Sequence, residues 1–179
     1  MNSEVHNHKF NSLLSHMKKI LFFTFLGLYF VSCYSFRGVS IPPDVKTFYV
    51  RQVRLSDFAA PPDSPEKFME QLREKIRSQS SLKWNEIDPQ IEFDCEITGF
   101  RVSNEANQQG NEVSLNKLTI SVRVAYINNT DEDENWNKTV SFGIPFDPNE
   151  DLQEVQDGYI DNIFEQISEN IFNDAFANW

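Results

Sequence analysis

Ile91-Glu92-Phe93-Asp94-Cys95-Glu96-Ile97-Thr98 alternates without a break: Ile91, Phe93, Cys95 and Ile97 fall on one side of an extended chain, and Glu92, Asp94, Glu96 and Thr98 on the other. Strand side chains alternate faces with a period of two, so this stretch is a β-strand with one buried face and one polar face. Gly99 interrupts the pattern before Phe100, which predicts a bulge or bend there. A sheet containing such a strand is covered on one side only, and the rest of the chain must supply the cover.

Working outward, residues 103–112 read as a polar loop leading to a third strand, in which Leu118, Ile120, Val122, Val124 and Tyr126 face inward and Thr119, Ser121, Arg123 and Ala125 outward. A tip over 128–135 leads to a fourth strand with Trp136, Val140, Phe142, Ile144 and Phe146 on one side, forming an antiparallel hairpin with the third. Residues 151–176 are the longest periodic stretch. Ile160, Ile163, Phe164, Ile167, Ile171 and Phe172 recur at helical spacing with acids opposite, which predicts an amphipathic helix packed on a sheet. Before the quoted strand, Ser64-Pro65-Glu66 is a helix start, with serine as cap and proline at the first helical position. Phe68, Leu72 and Ile76 then give a narrow buried stripe. Residues 44–55 form a first strand. The expected class is α+β: a two-layer sandwich with two helices on one face of a four-stranded mixed sheet, in the order β-α-β-β-β-α.

The amino terminus reads differently. Lys18-Lys19, the apolar run Ile20 to Val31, Ser32 and Cys33 have the layout of a bacterial lipoprotein leader: a basic start, a short apolar helix, a small residue, then a cysteine able to carry acyl chains. The run is too short for a comfortable membrane span. An ordinary secretory signal is the alternative, because Phe30 stands where such leaders usually have leucine. Export signals begin with a basic segment, so translation is expected to start at Met17. The expected organisation is a signal peptide over 1–32, a lipidated tether over 33–43 closing on Pro42-Pro43, and one domain over 44–179. Each buried methylene of an acyl chain contributes about 0.8 kcal/mol, so two or three chains on Cys33 would hold the protein on a membrane.

Cutting at Cys33 narrows the chemistry. The three histidines, His6, His8 and His16, all precede the cut, which leaves no imidazole for a Ser-His-Asp or Cys-His pair or for zinc. Cys95 remains as the one other cysteine and reads as a small core residue. The chain carries a net charge of −11, and the leader takes three lysines and one glutamate with it. Such a domain repels nucleic acid and anionic lipid, so membrane attachment falls to the acyl chains. Asp131-Glu132-Asp133-Glu134 is no calcium loop, because Trp136 and Phe142 stand where an EF-hand needs glycine and its bidentate acid. The sequence after Cys33 holds none of the phosphate-binding or hydrolase signatures, so neither a catalytic residue, nor a metal ligand, nor a cofactor is expected. In so acidic a chain the bases stand out, above all Arg123 in mid-strand on the open sheet face, with Arg101 and Lys117 nearby in sequence. Arg101, Lys117 and Arg123 are candidates for a shallow patch that reads phosphate.

Cys33-Tyr34-Ser35-Phe36 with Gly38 and Ser40-Ile41-Pro42, Ile91-Glu92-Phe93 through Glu96-Ile97-Thr98-Gly99-Phe100, Asn116-Lys117-Leu118-Thr119-Ile120-Ser121-Val122, and the ending Asp174-Ala175-Phe176-Ala177-Asn178-Trp179 together resemble the LptE-type lipopolysaccharide-assembly lipoproteins of the Bacteroidetes lineage. The resemblance spans the chain after the leader. It implies a helix-on-sheet domain lipid-anchored at Cys33 to the outer membrane and facing the periplasm, with an LptD-like β-barrel and lipopolysaccharide as partners and no enzymatic activity. In that family the domain plugs the barrel and helps insert lipopolysaccharide. The resemblance carries over Cys33 and none of the basic residues. The competing expectation is a free-standing periplasmic lipid-binding or pilotin-like lipoprotein of another secretion system.

Overall fold

The computed structural model describes residues 41–105 and 115–177. The leader, Cys33 with the tether up to residue 40, residues 106–114, which include the expected loop from 106 onward, and Asn178-Trp179 lie outside the described residues. The elements are β1 (Thr47–Val50), β2 (Arg54–Leu55), α1 (Ser64–Gln79), β3 (Lys83–Trp84), β4 (Ile91–Glu105), β5 (Leu115–Asn128), a 3-10 turn (Glu132–Glu134), β6 (Trp136–Phe146) and α2 (Leu152–Phe176). They form one sheet in the order β3-β1-β4-β5-β6, with β2 also pairing with β4. β1 runs parallel to β3 and β4, whereas β4, β5 and β6 are antiparallel. Both helices lie on one face, which is the α+β two-layer arrangement expected from the sequence.

The strand count is six where four were expected. The first expected strand, over 44–55, is divided. Val50 pairs with Phe93 and Arg54 with Glu96, so the β1–β2 line spends one more residue than β4 over this interval. The extra residue flips the parity: Phe48 and Val50 are buried before the break and Val53 after it. The Arg51 N–H still donates to the Phe93 carbonyl at 2.9 Å, so the line stays attached through the irregularity. β3 has only two residues, too few for any period to show in sequence.

At Gly99 the expected bulge is present. β4 advances from Ile97 to Gly99 while β5 moves by a single residue, from Val122 to Ser121. Phe100, which strict alternation would turn outward, instead pairs with Ile120 and packs against the core. β4 also continues to Glu105, where a loop was expected from residue 103, because Ser103 and Asn104 still find partners in Lys117 and Asn116.

The cap of α1 is Asp63, one residue earlier than expected. The Lys67 N–H reaches the Asp63 carbonyl at 3.1 Å, closing the first turn there. Ser64 therefore sits inside the helix, buried, with its Oγ unpartnered. α2 begins as a capping residue dictates: the Gln153 N–H donates to Asp151 Oδ1 at 3.0 Å. Phe68 of α1 meets Phe164 of α2 with ring centroids 5.1 Å apart, and both are fully buried. Lys67 pairs with Asp157, and Lys75 with Glu169, so the two helices lie side by side in the same sense. Cys95 is buried in the core, as expected, and loss of solvent pushes its thiol up to about 12. At neutral pH it is a packed thiol and not a thiolate nucleophile.

Candidate functional site

The uncovered sheet face is built rung by rung from the alternation that first identified β4. Its polar row, Glu92, Asp94 and Glu96, lies between the arginines of the flanking strands. Arg51 donates to Glu92 at 2.7 Å, Arg54 lies 3.1 Å from Asp94 and 3.8 Å from Glu96, and Arg123 lies 2.9 Å from Glu96. Burial pushes the Glu92 carboxyl up, but the Asn129 amide and the Arg51 guanidinium outweigh it and hold the group below the usual carboxylate range. Three arginines thus meet three carboxylates in one ladder.

The next rungs are small and neutral. Gly99, Ser121 and Ser141 stand in line, with Ser141 Oγ donating to Ser121 Oγ at 2.8 Å. Arg101, Thr119 and Gly143 follow, then Ser103, Lys117 and Pro145. The three basic residues singled out in sequence are therefore not one patch. Arg101 and Lys117 are diagonal neighbours on adjacent rungs, a spacing of about 7–8 Å between backbones. Arg123 lies six residues from Lys117 along β5, roughly 20 Å away, and its guanidinium is engaged by Glu96. Glu96 takes one arm of the Arg123 guanidinium, so Arg123 belongs with the carboxylate ladder and apart from Arg101 and Lys117.

Two residues at this end of the sheet went unnoticed in sequence. A Cβ on Gly143 would stand 2.6 Å from Thr119 Oγ1 and 2.8 Å from Lys117 Cε, so the glycine makes room for the lysine stem to lie across β6. Glycine inside a strand marks a close approach of this kind, and that signal was there to be used. Asp57 is the second. Its carboxylate accepts from the Ala59 N–H at 3.0 Å and the Phe100 N–H at 2.8 Å, and these backbone bonds, with the nearby positive charge of Arg101, hold it below the usual carboxylate range. It closes the edge of β4 where β2 ends. Beside it Phe58 is 92% exposed, and Val102, which pairs with Leu118 and so turns to the helix side of the sheet, is 48% exposed.

The tip after β5 is organised by Asn128, which is buried. Its Oδ1 accepts from the Thr130 N–H and hydroxyl and from the Asp131 N–H, and its amide donates to Glu134 at 2.7 Å. Among the described residues no group of three or more His, Cys, Asp or Glu side chains is placed to hold a metal ion. The basic residues of α1 serve the helix layer: Arg77 pairs with Glu74, and Arg73 pairs with Glu70 while lying 5.3 Å from the Trp84 ring centre. A cleft of about 750 Å³ between α1 and the β1–β2 line is lined by Tyr49, Val53, Met69 and Trp84 with Arg73. No described helix is long and apolar enough to cross a membrane.

Comparison with solved structures places the fold. A hypothetical protein from Chlamydia trachomatis aligns over 75% of this chain and 99% of its own, with a TM-score of 0.54 at 11% identity. A protein from Xanthomonas campestris aligns over 75% of this chain and 88% of its own, with a TM-score of 0.51 at 10% identity. At these identities the likeness is one of fold. No curated protein matches the chain. A family model described as lipopolysaccharide-assembly, LptE, matches residues 45–175.

Proposed function

Because this chain belongs to the LptE lipopolysaccharide-assembly family, we propose that it is a lipoprotein subunit of an outer-membrane lipopolysaccharide translocon, seated in or against an LptD-like β-barrel and acting by binding, without catalysis. The family match over residues 45–175 carries this reading. The tether is taken to be acylated at Cys33, with the domain on the periplasmic side. A sheet covered on one face fits a protein that must present a broad, flat surface to a barrel, and acyl anchoring raises its local concentration beside such a partner. Arg101 and Lys117 are the side chains proposed to meet lipopolysaccharide phosphates, since they are neighbouring cations on the open face.

Purification of the membrane-anchored protein is expected to bring down a large β-barrel, and its depletion to leave lipopolysaccharide short of the cell surface. Depletion with surface lipopolysaccharide and barrel assembly unchanged would refute the proposal. Arg101→Ala with Lys117→Gln is expected to weaken binding of purified lipopolysaccharide while leaving the thermal midpoint within a few degrees, since Arg101 is exposed and glutamine keeps most of the stem that Lys117 lays over Gly143.

A further inference from the structure

The two edges of the sheet are built differently. On one side β1 is closed by β3, which is two residues long and carries Lys83. Short, charged edges of that kind resist pairing with another chain. On the other side stands β6, 11 residues long, with no strand beyond it among the described residues.

The ladder determines which of its main-chain groups are open. The Phe100 N–H donates to Asp57, away from β5. Ile120 opposite Phe100 therefore turns its N–H and C=O toward β6, where it meets Phe142. The other end of the sheet has the same phase: the Phe93 carbonyl accepts from Arg51, so Tyr126 turns toward Trp136. Even-numbered residues of β6 bond inward, and Asn137, Thr139, Ser141 and Gly143 direct their N–H and C=O groups outward. Pro145, next in that row, has no N–H and ends the run. None of the four carries a charge. Lys138, the one cation of the strand, is on the helix side, 3.1 Å from Asp174 and over the Trp136 ring. The edge thus lacks the charges by which exposed strands avoid pairing.

We propose that β6, from Asn137 to Gly143, receives an extended segment of a partner protein as an added strand of the sheet. The open main-chain groups supply the pairing, and the small neutral row Asn137, Thr139, Ser141 admits β-branched or uncharged polar cross-strand neighbours. A second copy of this chain is the wrong occupant, because each copy brings a net charge of −11. The inference rests on the preceding reading for the identity of the donor, which is a segment of the barrel subunit.

The test places a photoreactive benzoylphenylalanine at Thr139 or Ser141 of the full, membrane-anchored chain in cells, with Lys83 on the opposite edge as control. Cross-links from 139 and 141, but not 83, to one extended segment of the barrel subunit are expected. Ser141→Pro removes an N–H that β5 does not use, and should lower the cross-link from position 139 about tenfold, the effect of one lost main-chain bond with its neighbours displaced. Amide exchange on the unsubstituted protein keeps the proposal testable if that variant misfolds. In the detergent-purified complex the amides of Asn137, Thr139, Ser141 and Gly143 should exchange about tenfold or more slowly than in the chain alone. A barrel that co-purifies while these amides exchange unchanged, or while 139 and 141 cross-link to nothing or to a second copy, overturns the inference and leaves the translocon reading standing. Failure of any barrel to co-purify overturns the translocon reading, and the donor assignment with it.

Discussion

Replacing Phe164 by alanine should remove a large part of the domain's stability. The side chain is fully buried in α2, with its ring against Phe68 of α1 and its neighbours Ile160, Ile163 and Ile167 packed toward the sheet. Truncating a phenylalanine at such a site loses its transfer free energy and leaves a void that rigid neighbours cannot fill, together about 3–5 kcal/mol. A domain of this size has roughly 5–15 kcal/mol in total, so about a fifth or more of the margin disappears. The thermal midpoint should fall by about 10–25 °C at roughly 3–5 °C per kcal/mol. Phe164→Leu, which keeps most of the volume, should lose only about 1–1.5 kcal/mol. Urea unfolding followed by circular dichroism and by tryptophan fluorescence measures both, since Trp84 and Trp136 report from opposite edges of the sheet. A single coincident transition with an unchanged slope is expected. A loss below about 1 kcal/mol for Phe164→Ala, or a separate early transition for helix content alone, would refute the argument that the helices and sheet share one core.

Stability should also decline in acid. Asp57, Asp63, Glu92 and Glu169 are all held below the usual carboxylate range, by main-chain N–H groups, by Lys67, by Asn129 and Arg51, and by Lys75 respectively. The unfolded chain therefore binds more protons than the folded one once pH falls below about 5, and the stability present at neutral pH is lost as it drops through roughly 4 and beyond; a urea midpoint unchanged between pH 7 and pH 3 would contradict this. In a Cys33→Ser chain, Cys95 should resist a thiol reagent at pH 8 until denaturant is added, because it is buried and its thiol is pushed up to about 12; prompt labelling of the folded protein would show the core open. Asn128→Ala leaves the Thr130 and Asp131 donors and the Glu134 carboxylate without their shared partner and should lower stability by about 2–3 kcal/mol in urea unfolding, whereas a loss under 0.5 kcal/mol would mean that water replaces it.

The parts of this fold that showed in sequence are those where one face is buried over a long run. β4 alternates across seven residues before its bulge, and α2 repeats a sheet-facing apolar residue at every turn, so period alone identified them. Where the chain departs from a regular period, sequence gave less. The extra residue between Val50 and Arg54 leaves a run still rich in β-branched and aromatic residues, and only pairing with β4 shows that the parity changes. β3 exists because Lys83 and Trp84 meet Thr47 and Phe48, a contact between residues far apart in the chain. The same limit governs the site. Alternation put Arg123 on the open face and would have turned Arg101 inward but for the bulge, and it carries no information on cross-strand register. Register is what gives Arg123 to Glu96 and sets Lys117 over Gly143.

The arginine ladder divides the charge of the molecule unevenly. Arg51, Arg54 and Arg123 balance Glu92, Asp94 and Glu96 on the open face, whereas α2 carries six acids and no base of its own, and among the described residues only Asp157, Glu169 and Asp174 meet lysines of neighbouring elements, which leaves Glu154, Asp161 and Glu165 as excess charge. The screening length falls from about 30 Å at 0.01 M salt to about 8 Å at 0.15 M, and only an unbalanced surface registers that change over distance. Contacts made through the arginine ladder should therefore hold their strength as ionic strength rises, contacts of Arg101 and Lys117 with an anionic group should weaken, and contacts made through α2 should weaken or tighten according to the sign of the partner's charge. A salt titration of any complex this protein forms thus reports whether the balanced ladder or one of the charged surfaces is engaged.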